Sequence, residues 1–136
     1  MIYVLLGTNL GDREWNLDRA RALLAEELKS DLICSDIIET ESIGFEGPAF
    51  LNQVVAFQCS VSPEGLLDIC QRIEKEIGRP EHDAEYDAEG RRIYRDRIID
   101  IDILKFDDLE MNTPRLTIPH PQVVGRPFVT ELLNTL

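Results

Sequence analysis

Short apolar runs alternate with helical stripes along this chain of 136 residues. Residues 2–6 read IYVLL, an apolar run that ends at Gly7 and predicts a buried strand. A turn over residues 7–12 follows, and its last residue, Asp12, is of a type that caps helix N-termini. Beyond it, apolar residues recur at three- and four-residue spacing and predict the first helix. These residues are Leu17, Ala20, Leu24 and Leu28.

Two strands and a second helix come next. Residues 32–40 and 50–61 are rich in Ile, Val and Phe, and they predict strands joined by a loop that contains Gly and Pro. The second helix has the clearest bounds, because Ser62 is a capping type, a proline follows it, and Gly78 ends the pattern. Its apolar stripe consists of Leu66, Cys70, Ile73 and Ile77.

The last regular segment, residues 98–106, reads IIDIDILKF and predicts a fourth strand. The order strand, helix, strand, strand, helix, strand is that of a ferredoxin-like α+β sandwich, in which two helices cover one face of an antiparallel sheet. The tail beyond residue 106 contains four prolines, so we expect it to be mostly irregular, with one short helix near residue 130. The length predicts a single domain over residues 1–136.

Composition narrows the function classes. The net charge of −12 disfavours general binding to nucleic acid or to an anionic membrane surface. No stretch approaches the roughly 20 apolar residues of a membrane span, and no basic segment precedes the first strand. We therefore expect a soluble, cytoplasmic protein. The three cysteines lack CxxC spacing and are expected to be reduced.

Asp100 and Asp102 are the first candidates for chemistry. Residues two apart on a strand point to the same side, so both carboxylates would project together with their Cα atoms about 7 Å apart. The isoleucines between and beside them would then face the core. A divalent cation would relieve the repulsion between two such acids. The alternative is an ordinary strand with one solvated face, although aspartate is a poor strand former.

The second candidate region is the polar segment 79–97. Acids fill its first half, whereas arginines, which suit phosphate, fill its second half. A self-neutralising surface loop is one interpretation, and a mobile lid over an active site is the other. We favour the lid, because nineteen residues without periodicity are unusual inside a compact domain.

His120 lies between two prolines, and Arg126 follows six residues later, so the two side chains could share a phosphate. A histidine in this position could also be purely structural. The GTNLG turn lacks the spacing of known glycine-rich phosphate loops and is weak evidence. Together, the acidic pair, the arginines and this tail favour phosphoryl-type transfer with magnesium, and they leave the acceptor open.

Six motifs along the chain, in order, resemble those of the 6-hydroxymethyl-7,8-dihydropterin pyrophosphokinase family of folate synthesis. They are LGTNLGD at residues 6–12, FLN at 50–52, RIEKEIGR at 72–79, RIIDIDIL at 97–104, LTIPHP at 116–121 and RPFV at 126–129. The resemblance implies a ferredoxin-like fold. It also implies transfer of pyrophosphate from ATP to the pterin's hydroxymethyl oxygen, with release of AMP and two Mg²⁺ ions at the site.

The resemblance also implies roles for individual residues. The metal ligands would be Asp100 and Asp102, which are catalytic together with Arg79 and Arg97. The ATP site would include Gln71, Glu74, Tyr94, His120 and Arg126. The pterin pocket would comprise Gly7, Thr40, Ile43, Phe50, Asn52 and Phe128, with the two phenylalanines able to sandwich a flat heterocycle.

We expect a monomer whose partners are ATP and the pterin. One alternative is a degenerate module that binds pterin or nucleotide with weak or no transfer, because segment 79–97 is longer than usual and carries Glu81 where an arginine is common. Another is a simple ferredoxin-like interaction domain, which would have no need of the acidic pair or of Arg97.

Overall fold

The computed structural model describes residues 1–41, 48–78, 98–120 and 126–136. Its strands and helices follow the predicted order, with additional short elements in the tail. They are β1 (Ile2–Thr8), α1 (Arg13–Leu28), β2 (Ile33–Thr40), β3 (Phe50–Phe57), α2 (Pro63–Ile77), β4 (Asp100–Phe106), β5 (Met111–Asn112), β6 (Thr117–Ile118) and α3 (Pro127–Asn134).

One four-stranded antiparallel sheet organises the molecule. Its order is β2-β3-β1-β4, so β1 lies between β3 and β4, and β2 and β4 are the edge strands. The helices α1 and α2 cover one face, while α3 covers part of the other. β5 and β6 form a separate two-stranded pair. The predicted ferredoxin-like α+β arrangement, with two helices on one face, is confirmed.

Both long helices begin at the predicted caps. The Asp12 side chain accepts a hydrogen bond from the backbone N–H of Trp15, and the Ser62 side chain accepts one from Gly65. Such bonds satisfy backbone donors that have no partner within the first turn. α2 ends at Gly78, whose φ of 132° is a conformation that other residues rarely adopt.

The main core lies between the sheet and α1 with α2. Its members alternate along the strands and recur at helical spacing along the helices, as the apolar pattern predicts. A smaller cluster lies beneath α3 on the opposite face and consists of Leu5, Val54, Leu104, Val129 and Leu132. Because these two clusters lie on opposite faces, the sheet is buried on both sides where α3 covers it.

The structure corrects several boundary predictions, among them the start of β4, which is Asp100 rather than residue 98. β3 ends at Phe57 rather than at residue 61, because Phe57 pairs with Ile2, where β1 begins, and no strand of the described residues pairs with the chain beyond it. β1 runs on to Thr8, so the predicted turn starts later. The tail is more regular than expected, with β5, β6 and an eight-residue α3.

The three cysteines form no disulfide. In the described residues, no helix combines the length and apolar character needed to cross a bilayer.

We predict that Leu24→Ala lowers the free energy of unfolding by about 2–5 kcal/mol, because Leu24 is fully buried and truncation leaves a cavity in the main core. Urea denaturation measures the loss. The matched control is Leu109→Ala, at a leucine that is 42% exposed. Equal losses in the two variants would contradict the placement of the core.

Candidate functional site

The site face is the face of the sheet opposite α1 and α2. The register places Ile38, Asn52, Gly7 and Asp100 side by side across all four strands. Residues that pair across antiparallel strands share a face, and neighbouring strands lie about 4.8 Å apart. The Cα atoms of Asn52 and Asp100 are therefore about 10 Å apart, with Gly7 between them.

Asp100 and Asp102 project from this face, as their alternation predicts. Both are half-buried, whereas Ile99, Ile101 and Ile103 are buried in the main core. Asp102 pairs with Leu5, a member of the smaller cluster on the site face. The two carboxylates therefore lie at the margin of the sheet, on an edge strand.

The Asn52 side chain has a defined orientation. Its Nδ2 donates to the Ile38 carbonyl oxygen at 3.1 Å and to Thr40 Oγ1 at 2.8 Å. A carbonyl oxygen can only accept, so the amide nitrogen must face Ile38. Both amide hydrogens are used within the protein, and Oδ1 faces Gly7. The site thus presents a hydrogen-bond acceptor from a residue that is only 5% exposed.

Gly7 leaves open the space beneath this acceptor. A Cβ atom built on Gly7 would lie 3.7 Å from Asn52 Oδ1 and 3.8 Å from Cδ1 of Phe50. Both distances are ordinary van der Waals contacts, so a side chain at this position would fill the gap between the amide oxygen and the aromatic ring. The structure brings together Gly7, Thr40, Phe50 and Asn52, all predicted for the pterin pocket.

The start of α3 borders the site face. Arg126 is the N-cap residue, and its carbonyl oxygen accepts from the backbone N–H groups of Val129 and Thr130. Phe128 is half-buried and packs against the smaller cluster. Its predicted stacking on a ligand opposite Phe50 stays a prediction.

His120 lies beside the acidic strand. Its backbone N–H donates to the carbonyl oxygen of Leu104 at 3.1 Å, two residues beyond Asp102. This bond ties the tail to β4 and places the half-buried histidine near the metal-binding candidates. Its role towards ATP stays a prediction.

The structure shows a contact for Glu74 that its sequence position did not indicate. Glu74 is 7% exposed, and its Oε2 accepts from the backbone N–H of Ile101 at 2.9 Å. Ile101 lies between the two aspartates, so this carboxylate holds the outer edge of β4. Gln71, one turn earlier on α2, is exposed.

Cys70 lies beneath the same strand. Burial raises the pKa of its thiol far above the ordinary value, and the nearby negative charges of Glu74 and Asp102 raise it further. The thiol therefore stays protonated and packs as a small apolar group, as the sequence predicts.

The donor set at Asp100 and Asp102 suits a hard cation that retains other ligands. Among the described residues, no group of three or more His, Cys, Asp or Glu side chains could hold a metal. Mg²⁺ is commonly held by one or two carboxylates, with water and substrate phosphates completing its shell. The two aspartates fit that mode of binding.

Some predicted site residues cannot be placed. Ile43, Arg79, Tyr94 and Arg97 lie outside the described residues, as does the whole segment predicted to be a lid.

The structure adds polar residues that sequence reasoning did not single out: Thr8, Asn9 and Asn16, all buried. Their one sequence signal is a concentration of polar residue types where β1 leads into α1.

Paired carboxylates on one face of a sheet suit a divalent cation that also binds phosphates, and the neighbouring amide and aromatic ring suit a flat heterocycle. Comparison with known families makes this more specific. Residues 3–136 match the family described as 7,8-dihydro-6-hydroxymethylpterin-pyrophosphokinase, and the chain belongs to this family.

Two bacterial relatives carry the name 2-amino-4-hydroxy-6-hydroxymethyldihydropteridine pyrophosphokinase. The protein from Porphyromonas gingivalis is 40% identical over 136 residues, covering 98% of this chain and 88% of that protein. The Bacillus subtilis protein is 39% identical over 129 residues, covering 93% of this chain and 72% of its own length. A folate synthesis bifunctional protein of Arabidopsis thaliana is 32% identical over 139 residues, covering 98% of this chain and 27% of that protein.

We predict that Glu74→Met destabilises the protein by about 1–3 kcal/mol, because it leaves the buried N–H of Ile101 without this acceptor. Glu74→Gln keeps an acceptor oxygen and should lose less than about 1 kcal/mol. Urea denaturation and hydrogen exchange at the Ile101 amide measure both variants. Equal loss in the two would mean that the charge of Glu74, rather than its acceptor, stabilises β4.

Proposed function

We propose that this chain catalyses Mg²⁺-dependent transfer of pyrophosphate from ATP to the hydroxymethyl group of 6-hydroxymethyl-7,8-dihydropterin, with release of AMP. The family membership and the names of the relatives support the pyrophosphokinase reaction. The observation that carries the proposal is the single row from Asn52 through Gly7 to Asp100 on the site face. One flat substrate can lie along this row with its reactive end towards the acids.

The Asn52 end of the row has the chemistry to recognise a pterin. The inward-facing Oδ1 accepts hydrogen bonds, so it selects a ring edge that carries N–H groups, as the aminopyrimidinone half of a pterin does. Gly7 allows a flat ring to approach the sheet, and Phe50 offers an aromatic surface beside it. Phe128 from α3 would cover the opposite side of the ring.

The Asp100 end has the chemistry to receive the triphosphate. Asp100 and Asp102 would hold Mg²⁺, which when bound would supply charge neutralisation for the triphosphate. Because both aspartates belong to β4, a cation bound to them would lie at a fixed distance from the pterin end. The Cα atoms of Asn52 and Asp100 lie about 10 Å apart across two strand spacings, which leaves room for a bicyclic ring and its hydroxymethyl arm.

The remaining roles come from the family resemblance. Arg97, assisted by Arg79, would contact the phosphates, and Tyr94 would help to close the site. Gln71, Glu74, His120 and Arg126 would contact the nucleotide.

The deciding experiment measures AMP release from ATP in the presence of Mg²⁺ and the pterin alcohol. Release that depends on all three components supports the transferase. Binding of both ligands by calorimetry without AMP release would instead indicate the degenerate binding module.

We predict that Asp100→Asn or Asp102→Asn lowers the rate of transfer at least about a thousandfold, because charge neutralisation by a metal contributes several kcal/mol to such reactions. The fold should be retained, since neither side chain faces the main core. The matched control is Asp108→Asn, at an exposed acid just beyond β4. Near-normal rates in either site variant at ordinary Mg²⁺ concentrations would exclude the assigned metal site.

We predict that Asn52→Ala weakens pterin binding about 10- to 100-fold, because the ligand's N–H groups lose a buried acceptor. ATP binding should change less than about twofold, and calorimetry with each ligand separates the two effects. The neighbouring Gln53 faces α1, where its Oε1 accepts from Arg21 at 2.6 Å. Gln53→Leu should therefore reduce stability and leave pterin affinity unchanged. Weaker ATP binding with normal pterin binding in Asn52→Ala would reverse the assignment of the two ends.

A further inference from the structure

A buried polar cluster lies where β1 leads into α1, and the proposed function gives it no task. Thr8, Asn9 and Asn16 are between 0% and 4% exposed. Buried polar groups destabilise a protein unless they are hydrogen-bonded, so their partners indicate what they do. Their partners include backbone carbonyls two residues before β3 and β4, the strands that carry Asn52 and Asp100.

Two of these side chains hold the start of β4. Thr8 Oγ1 donates to the carbonyl oxygen of Ile98, and Asn16 Nδ2 donates to the same oxygen at 3.1 Å. Asn16 Nδ2 also lies 3.1 Å from Thr8 Oγ1 and 2.9 Å from the Leu10 carbonyl oxygen. The Ile98 carbonyl therefore accepts from two side chains that are 82 and 90 residues away in sequence.

These bonds continue the pairing of β1 with β4 beyond its backbone ladder. The last paired residues are Gly7 and Asp100, and Ile98 is two residues outside that pair. A metal-binding carboxylate at the end of a ladder, on an edge strand, would be subject to fraying. The Thr8 and Asn16 bonds hold the chain on the outer side of Asp100 and so limit that motion.

A second pair holds the start of β3 in the same way. Asn9 Nδ2 donates to the Pro48 carbonyl oxygen at 3.0 Å, and Arg13 Nη1 donates to the Ala49 carbonyl oxygen at 2.8 Å. Phe50 follows directly, and Asn52 is two residues further along β3. One segment, residues 8–16, thus holds the starts of both strands that form the two ends of the site.

We propose that Thr8 and Asn16 are positioning residues for the metal end of the site, and that Asn9 and Arg13 are positioning residues for the pterin end. The inference rests on the proposed function, because it assigns each pair to one of the two ligands. The first pair acts through one backbone carbonyl, that of Ile98, and the second acts through two, those of Pro48 and Ala49, so neither role requires contact with a ligand.

The test for the metal end uses Thr8→Val, which removes the hydroxyl at nearly constant shape, and Thr8→Ser, which keeps it. We expect Thr8→Val to weaken Mn²⁺ binding about tenfold, the lower end of the effect of outer-shell changes on metal affinity. Paramagnetic resonance of Mn²⁺ with a non-hydrolysable ATP analogue measures this affinity. Hydrogen exchange at the Asp100 amide should also be faster in the metal-free protein, and Thr8→Ser should restore both.

The test for the pterin end uses Asn9→Ala, with Arg13→Met as a second variant at a partly exposed position. Both should weaken pterin binding about tenfold by calorimetry, on the scale expected when a binding group is displaced by less than 1 Å. Neither should change Mn²⁺ affinity by more than about twofold. The two sets of variants serve as controls for each other, because general destabilisation would lower the affinities for Mn²⁺ and for the pterin together.

The outcomes separate this proposal from the proposed function. Unchanged Mn²⁺ affinity in Thr8→Val, or an equal loss of affinity for both ligands in every variant, would overturn the positioning roles. Neither result would contradict transfer by the wild-type protein. Wild-type protein that binds both ligands with the expected variant effects but releases no AMP would overturn the transfer reaction and retain the positioning roles. Wild-type protein that binds neither ligand would overturn both.

Discussion

The pairing of β1 with its two neighbours is the constraint on which the rest of the structure depends. β1 pairs with β3 in one register and with β4 through a register shift between Tyr3 and Val4, and this pairing places Asn52, Gly7 and Asp100 in one row. A slip of one residue in either ladder would turn every side chain of that strand to the opposite face. The isoleucines of β4 would then leave the main core and the aspartates would enter it. The energy of the core thus determines which face carries the site.

Repulsion within the acidic pair lowers the stability of β4, and the contacts around the strand offset this loss. Two half-buried carboxylates on one edge strand repel each other, and the net charge of −12 adds to the repulsion. β4 is nevertheless held from three directions: by β1, by the Glu74 carboxylate at Ile101, and by the Thr8 and Asn16 side chains at Ile98. The contacts at Ile101 and at Ile98 are polar and add nothing to either apolar core. They are understandable as a means of keeping a charged strand in place when no cation neutralises it.

The fold was predictable because its signals are local. Asp12, Ser62 and Gly78 mark helix ends through bonds that span only a few residues, and the alternation of Ile and Asp in β4 reports its two faces directly. The predictions failed where the cause was distant. The end of β3 depends on where β1 begins, and a pattern of Val and Cys beyond Phe57 carries no information about that partner. The position of α3 on the opposite face likewise depends on a cluster assembled from three strands and the helix.

The same distinction explains what could be inferred about the site. Residues whose proposed role follows from their own chemistry, such as Asp100, Asp102 and Asn52, can be singled out from sequence and family resemblance. Glu74 was assigned to ATP by resemblance, yet its described contact is with the backbone of β4. The GTNLG turn looked uninformative because it matches no phosphate-binding pattern. Its polar side chains bind carbonyls between 39 and 90 residues away, so they organise the site without any chemistry that a motif search would recognise. A motif of small and polar residues next to a strand end can therefore mark a structural anchor as readily as a ligand loop, and only the identity of its hydrogen-bond partners separates the two.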